Sequence, residues 1–537
     1  MKLKFPLILS LLLLFTIRLE AQIGVQINNF NSVDKLINQF ISTWKINGGS
    51  VAIAKNGNLI YNKGFGYSDQ HNSIPAIPNQ LYRVASVSKP ITSVAIMKLI
   101  EEGKLSLSDT VFGKNKILNQ PYYLSVITDS RIYSITIQQL LEHSAGWDRN
   151  IPTDGYPHND PAFFPLHVTS VLGESNPVGD STLIKFSLLK GLNFSPGKKY
   201  AYSNVGYLVL GKVIEKISGM SYGRYVEQKI LDPSAINDTH LGKNFYVDRH
   251  ERESEYMSEW NTTSCYGDGV TVPWQYGGFN VEAMNAHGGW TSTAADLTRL
   301  LLTVDGNSKV PDILKAFTLE TMGTADGPNP KYAKGWSVNS SGNWWHTGSM
   351  DGTSAFIGRT NDGYAWAFLF NSRSDNSNAF WKSLDRLPWK CMKEMSNIPD
   401  VNLFAPTLNL SNIKTKVSGS TSALVSWTKG SGDARIIIVS EDSILTHFPI
   451  DGTNYNAHST YGRGAKLGSA FVVHNGKENR FNLRNLDPAK TYYLYGFEYY
   501  KNSNTAGNPV YKLADKGKAI IRTSSTRVQK TDTRLNP

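Results

Sequence analysis

From about Asn28 to Ile46 the stretch NFNSVDKLINQFISTWKI carries apolar residues at helical spacing, which predicts one amphipathic helix. The period then changes. In SVAIAKNGNLIYNKGFGY two apolar runs flank Asn56-Gly57, a pair that marks a tight β-hairpin. Some three hundred residues later SAFIGRTNDGYAWAFLFN repeats the arrangement around Asp362-Gly363. Helical and loop patterns fill the interval. Strands at both ends of a region with helices between them predict an α+β domain whose antiparallel sheet is assembled from the two ends, flanked by helices. At SNIPDVNLFAP, residues 396–406, the periodicity fails and two prolines intervene, which reads as a linker. Beyond it the short runs SALVSWT, ARIIIVS, AFVVH, TYYLYGFEYY and KAIIRTS are separated by turn residues, the pattern of an all-β sandwich. The expected layout is a body at 22–395, the linker at 396–406, the sandwich at 407–525 and a basic tail at 526–537.

Charge and composition add three constraints. Residues 1–21, MKLKFPLILSLLLLFTIRLEA, join basic residues to an apolar stretch and a small residue before Gln22, which predicts a secretory signal and hence a periplasmic or extracellular protein. No later stretch reaches the length of a membrane span. The net charge of +11 is unevenly placed: residues 401–537 carry +9, residues 1–21 carry +2, and the remainder is neutral. A neutral body with a basic C-terminal module admits an anionic cell-wall or envelope polymer as partner, with solvated surface charge as the plainer explanation; nothing points to nucleic acid. Only Cys265 and Cys391 are present; export would permit their pairing, and two cysteines cannot build a zinc site. His250-Glu251 opens like a zinc-protease motif, but the fifth position is Ser254. No metal and no cofactor are expected.

The candidate chemistry starts at RVASVSKPITSVAIMKLIEEGKL. Ser86 and Lys89 stand three apart, so a helix brings them onto one face, and Pro90 requires a helix start nearby. An amine neighbouring a hydroxyl at a helix N-terminus can activate it as a nucleophile, provided burial or a nearby cation lowers the amine's pKa. Two later elements supply complementary groups. In KKYAYSNVGYLVLGKVIEKI, Tyr202 can shuttle a proton and Asn204 can hold both a lysine and a substrate amide. In WWHTGSMDGTSAFIG, His346 and Thr347 can bind an acyl group or carboxylate, and Gly348 lets a substrate backbone approach the strand.

The order SVSK, YSN, HTG resembles the penicillin-recognising serine hydrolases: class C β-lactamases, DD-peptidases and related esterases and D-amino-acid peptidases. LLEHSAGW and AHGGWTSTAADLTRLL resemble further segments of that family, and the likeness runs from about Asn28 to Met395. It implies a β-lactamase/transpeptidase-like fold with Ser86 as the acylated nucleophile. Lys89 and Tyr202 would share the acid and base work, and Asn204 would bind the substrate amide. The backbone N–H groups of Ser86 and Ser349 would form the oxyanion hole. A histidine stands at position 346 where class C β-lactamases usually carry lysine, which argues against a dedicated antibiotic-destroying enzyme and predicts that carboxylate-bearing substrates bind more tightly as His346 becomes protonated. Leu486 to Tyr492 resembles the tyrosine corner of fibronectin type III domains, with Trp427 as the expected core tryptophan.

Three functions compete. The leading expectation is an exported serine hydrolase acting through an acyl-enzyme on D-amino-acid peptides or small esters. A true β-lactamase is the second. The third is an inactive relative that binds cell-wall fragments or a protein. For single residues the plain alternatives are an N-cap for Ser86, a capped loop for Tyr202 and Asn204, a strand histidine for His346, and turn architecture for His143 and Gly146. His287-Gly288-Gly289 reads as a tight approach near the site. Tyr256, Tyr266, Trp274 and Tyr276 could wall a cleft or simply pack.

Overall fold

The computed structural model describes residues 22–373 and 377–525; the expected signal segment and basic tail lie outside them. Its centre is a seven-stranded antiparallel sheet of β1 (Gln22–Gly24), β2 (Gly48–Lys55), β3 (Asn58–Gly66), β4 (Ser337–Val338), β5 (Trp344–Met350), β6 (Thr353–Arg359) and β7 (Tyr364–Phe370), in the spatial order β1-β3-β2-β7-β6-β5-β4. The sheet is closed across its middle by pairing of β2 with β7, from Lys55 opposite Tyr364 to Gly49 opposite Phe370. Residues from the two ends of the body therefore lie side by side. At the first hairpin both Asn56 and Gly57 have positive φ, as a two-residue turn matched to strand twist requires. The two hairpin tips also meet, the Asn56 N–H donating to the Gly363 carbonyl at 2.8 Å.

β2, β6 and β7 are buried almost throughout, so both faces of the sheet must be covered. Helix α1 (Asn31–Trp44) packs through Phe40 on Phe370 of the sheet and Phe380 of the C-terminal helix α6 (Ser377–Glu394). In helix α2 (Ser88–Glu101) every residue from Ser88 to Met97 is buried. Its polar positions are satisfied internally. Thr92 Oγ1 donates to the Ala286 carbonyl at 2.6 Å, and Ser88 Oγ accepts from the Trp290 N–H at 3.2 Å. Helices α3 (Asn204–Ser218) and α4 (Val281–Gly288) surround it, and α5 (Ala294–Leu302) packs on β2 and β7.

The C-terminal region is all β, with strands β8 (Ser411–Ser418), β9 (Ser422–Thr428), β10 (Ala434–Ser440), β11 (Lys466–Leu467), β12 (Ala470–Gly476), β13 (Arg480–Arg484), β14 (Thr491–Tyr500), β15 (Val510–Tyr511) and β16 (Gly517–Arg522). They form a three-stranded sheet β8-β9-β13 and a larger sheet β11-β12-β10-β14-β15, with β16 also paired to β14. Val425 and Trp427 of the small sheet share one core with Ile437, Val439 and Tyr492 of the large one. The opposite face of the large sheet, Ile436, Ile438 and Phe497, builds a second core that reaches Ile77 of the body. This explains two contrasting sequence patterns: β9 alternates because one face is wet, whereas ARIIIVS is apolar throughout because β10 is covered on both sides. Tyr492 is buried, and its hydroxyl accepts the Asp487 N–H at 2.9 Å. Residues 396–406 contain no regular element and run along the sheet, the Leu403 N–H donating to the Leu59 carbonyl at 2.8 Å. Both cysteines are free and buried.

Candidate active site

Ser86 lies in a short 3-10 turn, Ala85–Val87, that runs directly into α2. Ala85 adopts φ +47°, a left-handed conformation that costs energy in a residue with a β-carbon. The turn is held from both sides. The Val84 N–H donates to the Trp290 carbonyl at 2.9 Å, and Arg83, buried against Tyr256, donates to the carbonyls of Gln275 and Lys243. Tyr256 and Tyr276 are thus buried supports of the segment leading into the turn.

Lys89 is fully buried one helical turn on from Ser86, with its Nζ 3.1 Å from Ser86 Oγ. Two carbonyl oxygens also lie at 2.7 Å from Nζ, Asn204 Oδ1 and the backbone oxygen of His287. Burial, reinforced by the Arg149 charge and opposed by Asp160, pushes the Lys89 pKa well below its ordinary value. A neutral amine has two hydrogens and one lone pair. With the amine neutral, the two carbonyls accept both hydrogens and the lone pair is left for the Ser86 O–H; with the amine protonated, the third hydrogen donates to Ser86 Oγ. His287, in the segment read as a tight approach near the site, thus contributes its carbonyl.

Tyr202 and Asn204 are positioned by the residue between them. Ser203 is the N-cap of α3, its Oγ accepting the Gly206 N–H at 3.3 Å, so the capped-loop reading and the site reading describe one device. The Tyr202 ring lies 4.8 Å from Lys89 Nζ and 4.5 Å from the Arg149 guanidinium carbon. Burial pushes the Tyr202 phenol pKa up, against a smaller opposing effect of its bond with Ser86, so Tyr202 holds its proton at neutral pH. Asn204 spends its Nδ2 on Asp160 Oδ2 at 2.6 Å, which turns Oδ1 toward Lys89. Asp160 is buried, its carboxyl pKa is raised by desolvation, and its Oδ1 has no hydrogen-bond partner among the described residues.

Strand β5 corrects two expectations. His346 is buried at 4% exposure, and burial above all pushes its pKa down to about 3. It stays neutral, so no titration near neutral pH is available to strengthen carboxylate binding. Its Nδ1–H donates to the Thr347 carbonyl at 2.7 Å, and its Nε2 accepts from Tyr332 Oη at 3.2 Å. Tyr332 in turn accepts from His143 Nε2 at 3.1 Å, and His143 Nδ1 accepts the Ser203 N–H at 3.1 Å. This chain has one consistent direction, and it ties β5 to the start of α3. The second correction concerns Gly348. A β-carbon there would collide with the Val84 carbonyl, so the missing side chain admits the protein's own nucleophile turn against β5. Thr347 and Ser349 are exposed on the strand, while His346 and Gly348 face inward.

The structure therefore gathers Ser86, Lys89, Tyr202, Asn204 and His346 in one neighbourhood, with Gly348 set against the turn that carries Ser86. Sequence reasoning missed Arg149, Asp160 and Tyr332. None has a motif of its own: DRN, NDP and KYAKGW gain meaning only through contacts across the fold.

Residues 33–385 match the family described as Beta-lactamase, well over half of the chain, and the chain belongs to that family. Among curated proteins it is similar to Protein flp of Staphylococcus aureus (strain COL), 27% identical over 327 residues, 60% of this chain and 59% of that protein. The chain thus matches about 59% of the length of this relative. The octameric penicillin-binding protein homologue from Pyrococcus abyssi shares the fold at 20% identity and TM-score 0.50, covering 91% of this chain and 99% of that one. The D-amino acid amidase from Ochrobactrum anthropi SV3 shares it at 19% identity and TM-score 0.51, over 68% and 99% of the two chains. Among the described residues no helix is long and apolar enough to cross a membrane, and no group of side chains could hold a metal ion.

Proposed function

We propose that the protein is an exported serine hydrolase that forms an acyl-enzyme at Ser86 and cleaves amide or ester bonds. Amides and peptides of D-amino acids and small esters are the leading substrates; the D-amino acid amidase activity of a neighbour with this fold supports the first. The observation that carries the reading is Lys89: fully buried, depressed in pKa, and 3.1 Å from Ser86 Oγ with its other contacts taken by carbonyls.

In this reading Ser86 Oγ attacks the carbonyl carbon as its proton passes to Lys89 Nζ. The backbone N–H groups of Ser86 and Ser349 receive the developing oxyanion. The bond to the leaving group breaks, and the proton returns through Tyr202 to the departing amine or alkoxide. Water then attacks the acyl-enzyme, gives a proton to the same base, and releases the acid while restoring the Ser86 hydroxyl. Asn204 orients Lys89 and offers its second amide hydrogen to the substrate. Thr347 binds from the exposed face of β5. His346 serves from beneath, as the terminus of the histidine–tyrosine chain.

The test is direct. The protein is incubated with labelled penicillin, an activated ester and a D-amino acid amide, and adducts are mapped by mass spectrometry. A Ser86 adduct that is absent in Ser86→Ala, with turnover lost, supports the reading. Turnover that survives Ser86→Ala overturns it. Family membership favours one alternative, β-lactamase activity, and rapid release of the penicilloyl adduct would select it.

We further propose that the C-terminal region is a fibronectin type III-like module that holds the enzyme to an anionic wall or envelope polymer. The outward face of β8-β9-β13 supports this: Lys414, Lys416, Arg480 and Arg484 are exposed there, and none makes an ion pair among the described residues. Reversing the four charges to glutamate should abolish sedimentation with cell walls; unchanged retention refutes the role.

A further inference from the structure

With His346 neutral and inside the fold, an exposed cation beside the site is Arg149, which lies over the Tyr202 ring. Resting on the hydrolase reading, we propose that Arg149 selects substrates bearing a carboxylate within a few bonds of the scissile carbonyl, by pairing its guanidinium with that group at the rim of the Ser86 cleft.

The residue is exposed, yet its backbone is fixed. Its carbonyl accepts the Asn159 N–H at 2.8 Å, the adjoining Asn150 N–H donates to Asp148 Oδ1 at 3.1 Å, and Trp147 anchors the segment in the core. Its guanidinium carbon lies 4.5 Å from the centroid of the Tyr202 ring, and Tyr202 contacts the Ser86 hydroxyl. The guanidinium thus rests over the ring, a cation–π contact that holds the group beside the residue that touches Ser86.

The carboxylates around it form no ion pair with it among the described residues. Asp148 is paired with Lys199 at 3.0 Å, and Asp160 Oδ2 is bound by Asn204. Asp154, further along the same loop, is paired with Lys190 at 2.6 Å. Arg149 itself makes no ion pair among the described residues. The titratable groups that feel its field are Lys89, His143, Asp160, Tyr200, Tyr202 and His287. The two histidines are held neutral by burial and the tyrosines remain phenols, while Lys89 and Asp160 are buried, so Arg149 is the exposed charge of this group. A guanidinium without an ion pair of its own fits a planar, bidentate anion. Because guanidinium groups stay protonated across the working range of proteins, the preference should hold throughout it, unlike one that depends on imidazole.

Pairs of substrates identical except for a free carboxylate or its carboxamide test the idea. One pair carries the group on the acyl side of the scissile bond and one on the leaving side. Wild-type protein should favour the acid of at least one pair on the order of tenfold in kcat/KM, the scale of a charge-assisted bond. Arg149→Gln should abolish that ratio and Arg149→Lys should keep part of it. In the wild type the ratio should fall as salt rises from about 0.05 to 0.5 M. A neutral activated ester serves as the reference. If wild type fails to cleave it and Ser86 is never acylated, the hydrolase reading fails. If the ester is cleaved but the wild type shows no preference for the acid, or the ratio survives in Arg149→Gln, the Arg149 assignment alone is overturned.

Discussion

At the scale of single residues, the site is organised around lowering the pKa of one amine. Arg149 lowers the Lys89 pKa and Asp160 raises it, each secondary to burial. Since the base must be neutral to accept the Ser86 proton, activity should rise with pH through the folded Lys89 pKa, well below the ordinary lysine value of about 10.4. Removing the nearby cation makes protonation easier, so Arg149→Gln should move this ascending limb to higher pH. Removing the nearby carboxylate does the reverse, and Asp160→Asn should move it to lower pH. Profiles of kcat/KM against pH for the two variants should therefore shift in opposite directions. Shifts of the same sign would mean that Lys89 is not the titrating base. Lys89→Arg, which cannot deprotonate, should lose about 10²- to 10⁴-fold in rate if the lysine is the general base.

Elements, more than residues, decided what could be read in advance. The Asn56-Gly57 hairpin was legible because a local φ requirement selects those residues, and the helix start at Ser203 because capping is local chemistry. The pairing of β2 with β7 was legible in outline, since two hairpin patterns with nothing else to pair with imply a shared sheet. The histidine–tyrosine chain was not. His143, Tyr332 and His346 are separated by 189 and 14 residues along the hydrogen-bonded chain, and no periodicity announces a contact of that kind. The fate of His346 was hidden for the same reason: on strand β5 alternation gives two faces, and the sequence does not say which one faces the cleft. Gly348 was recognised as a close approach, but the approaching backbone was misassigned. A consequence can be tested. Gly348→Ala must separate β5 from the Val84 carbonyl, which should cost about 1–3 kcal/mol in stability, as overpacking does. It should also slow Ser86 acylation far more than substrate binding, because the strand and the nucleophile turn lose their register. Denaturant titration and single-turnover acylation measure the two effects. An alanine variant with wild-type stability would refute the close packing.

For the whole molecule, the catalytic body and the C-terminal β region meet at an interface with a titratable centre. Asp451 is buried there, its Oδ1 accepting the Tyr511 N–H at 2.8 Å and its Oδ2 facing Asn79 Nδ2 of the body at 3.1 Å. Desolvation raises its pKa to about 7 against the opposing pull of these two bonds. An unfolded aspartate titrates near 3.9, so between about pH 4 and pH 7 the folded chain holds a proton that the unfolded chain has released. The native state then binds more protons, and its stability falls as pH rises through that window, by at most about 1.4 kcal/mol per pH unit from this group. Above about pH 7 both forms are ionised and the loss levels off. Asp451→Asn removes the titration while keeping an acceptor for Tyr511. Because other carboxylates titrate in the same range, the informative quantity is the difference between variant and wild type. Relative to wild type, the melting temperature of Asp451→Asn should climb steadily from pH 4 to pH 7 and then stay constant. A difference independent of pH would show that Asp451 remains ionised in the folded protein, and the interface would then need a cation close enough to compensate it. Lys512, next to Tyr511, donates to Asn237, and Lys516 donates to Glu251, so neither forms an ion pair with Asp451.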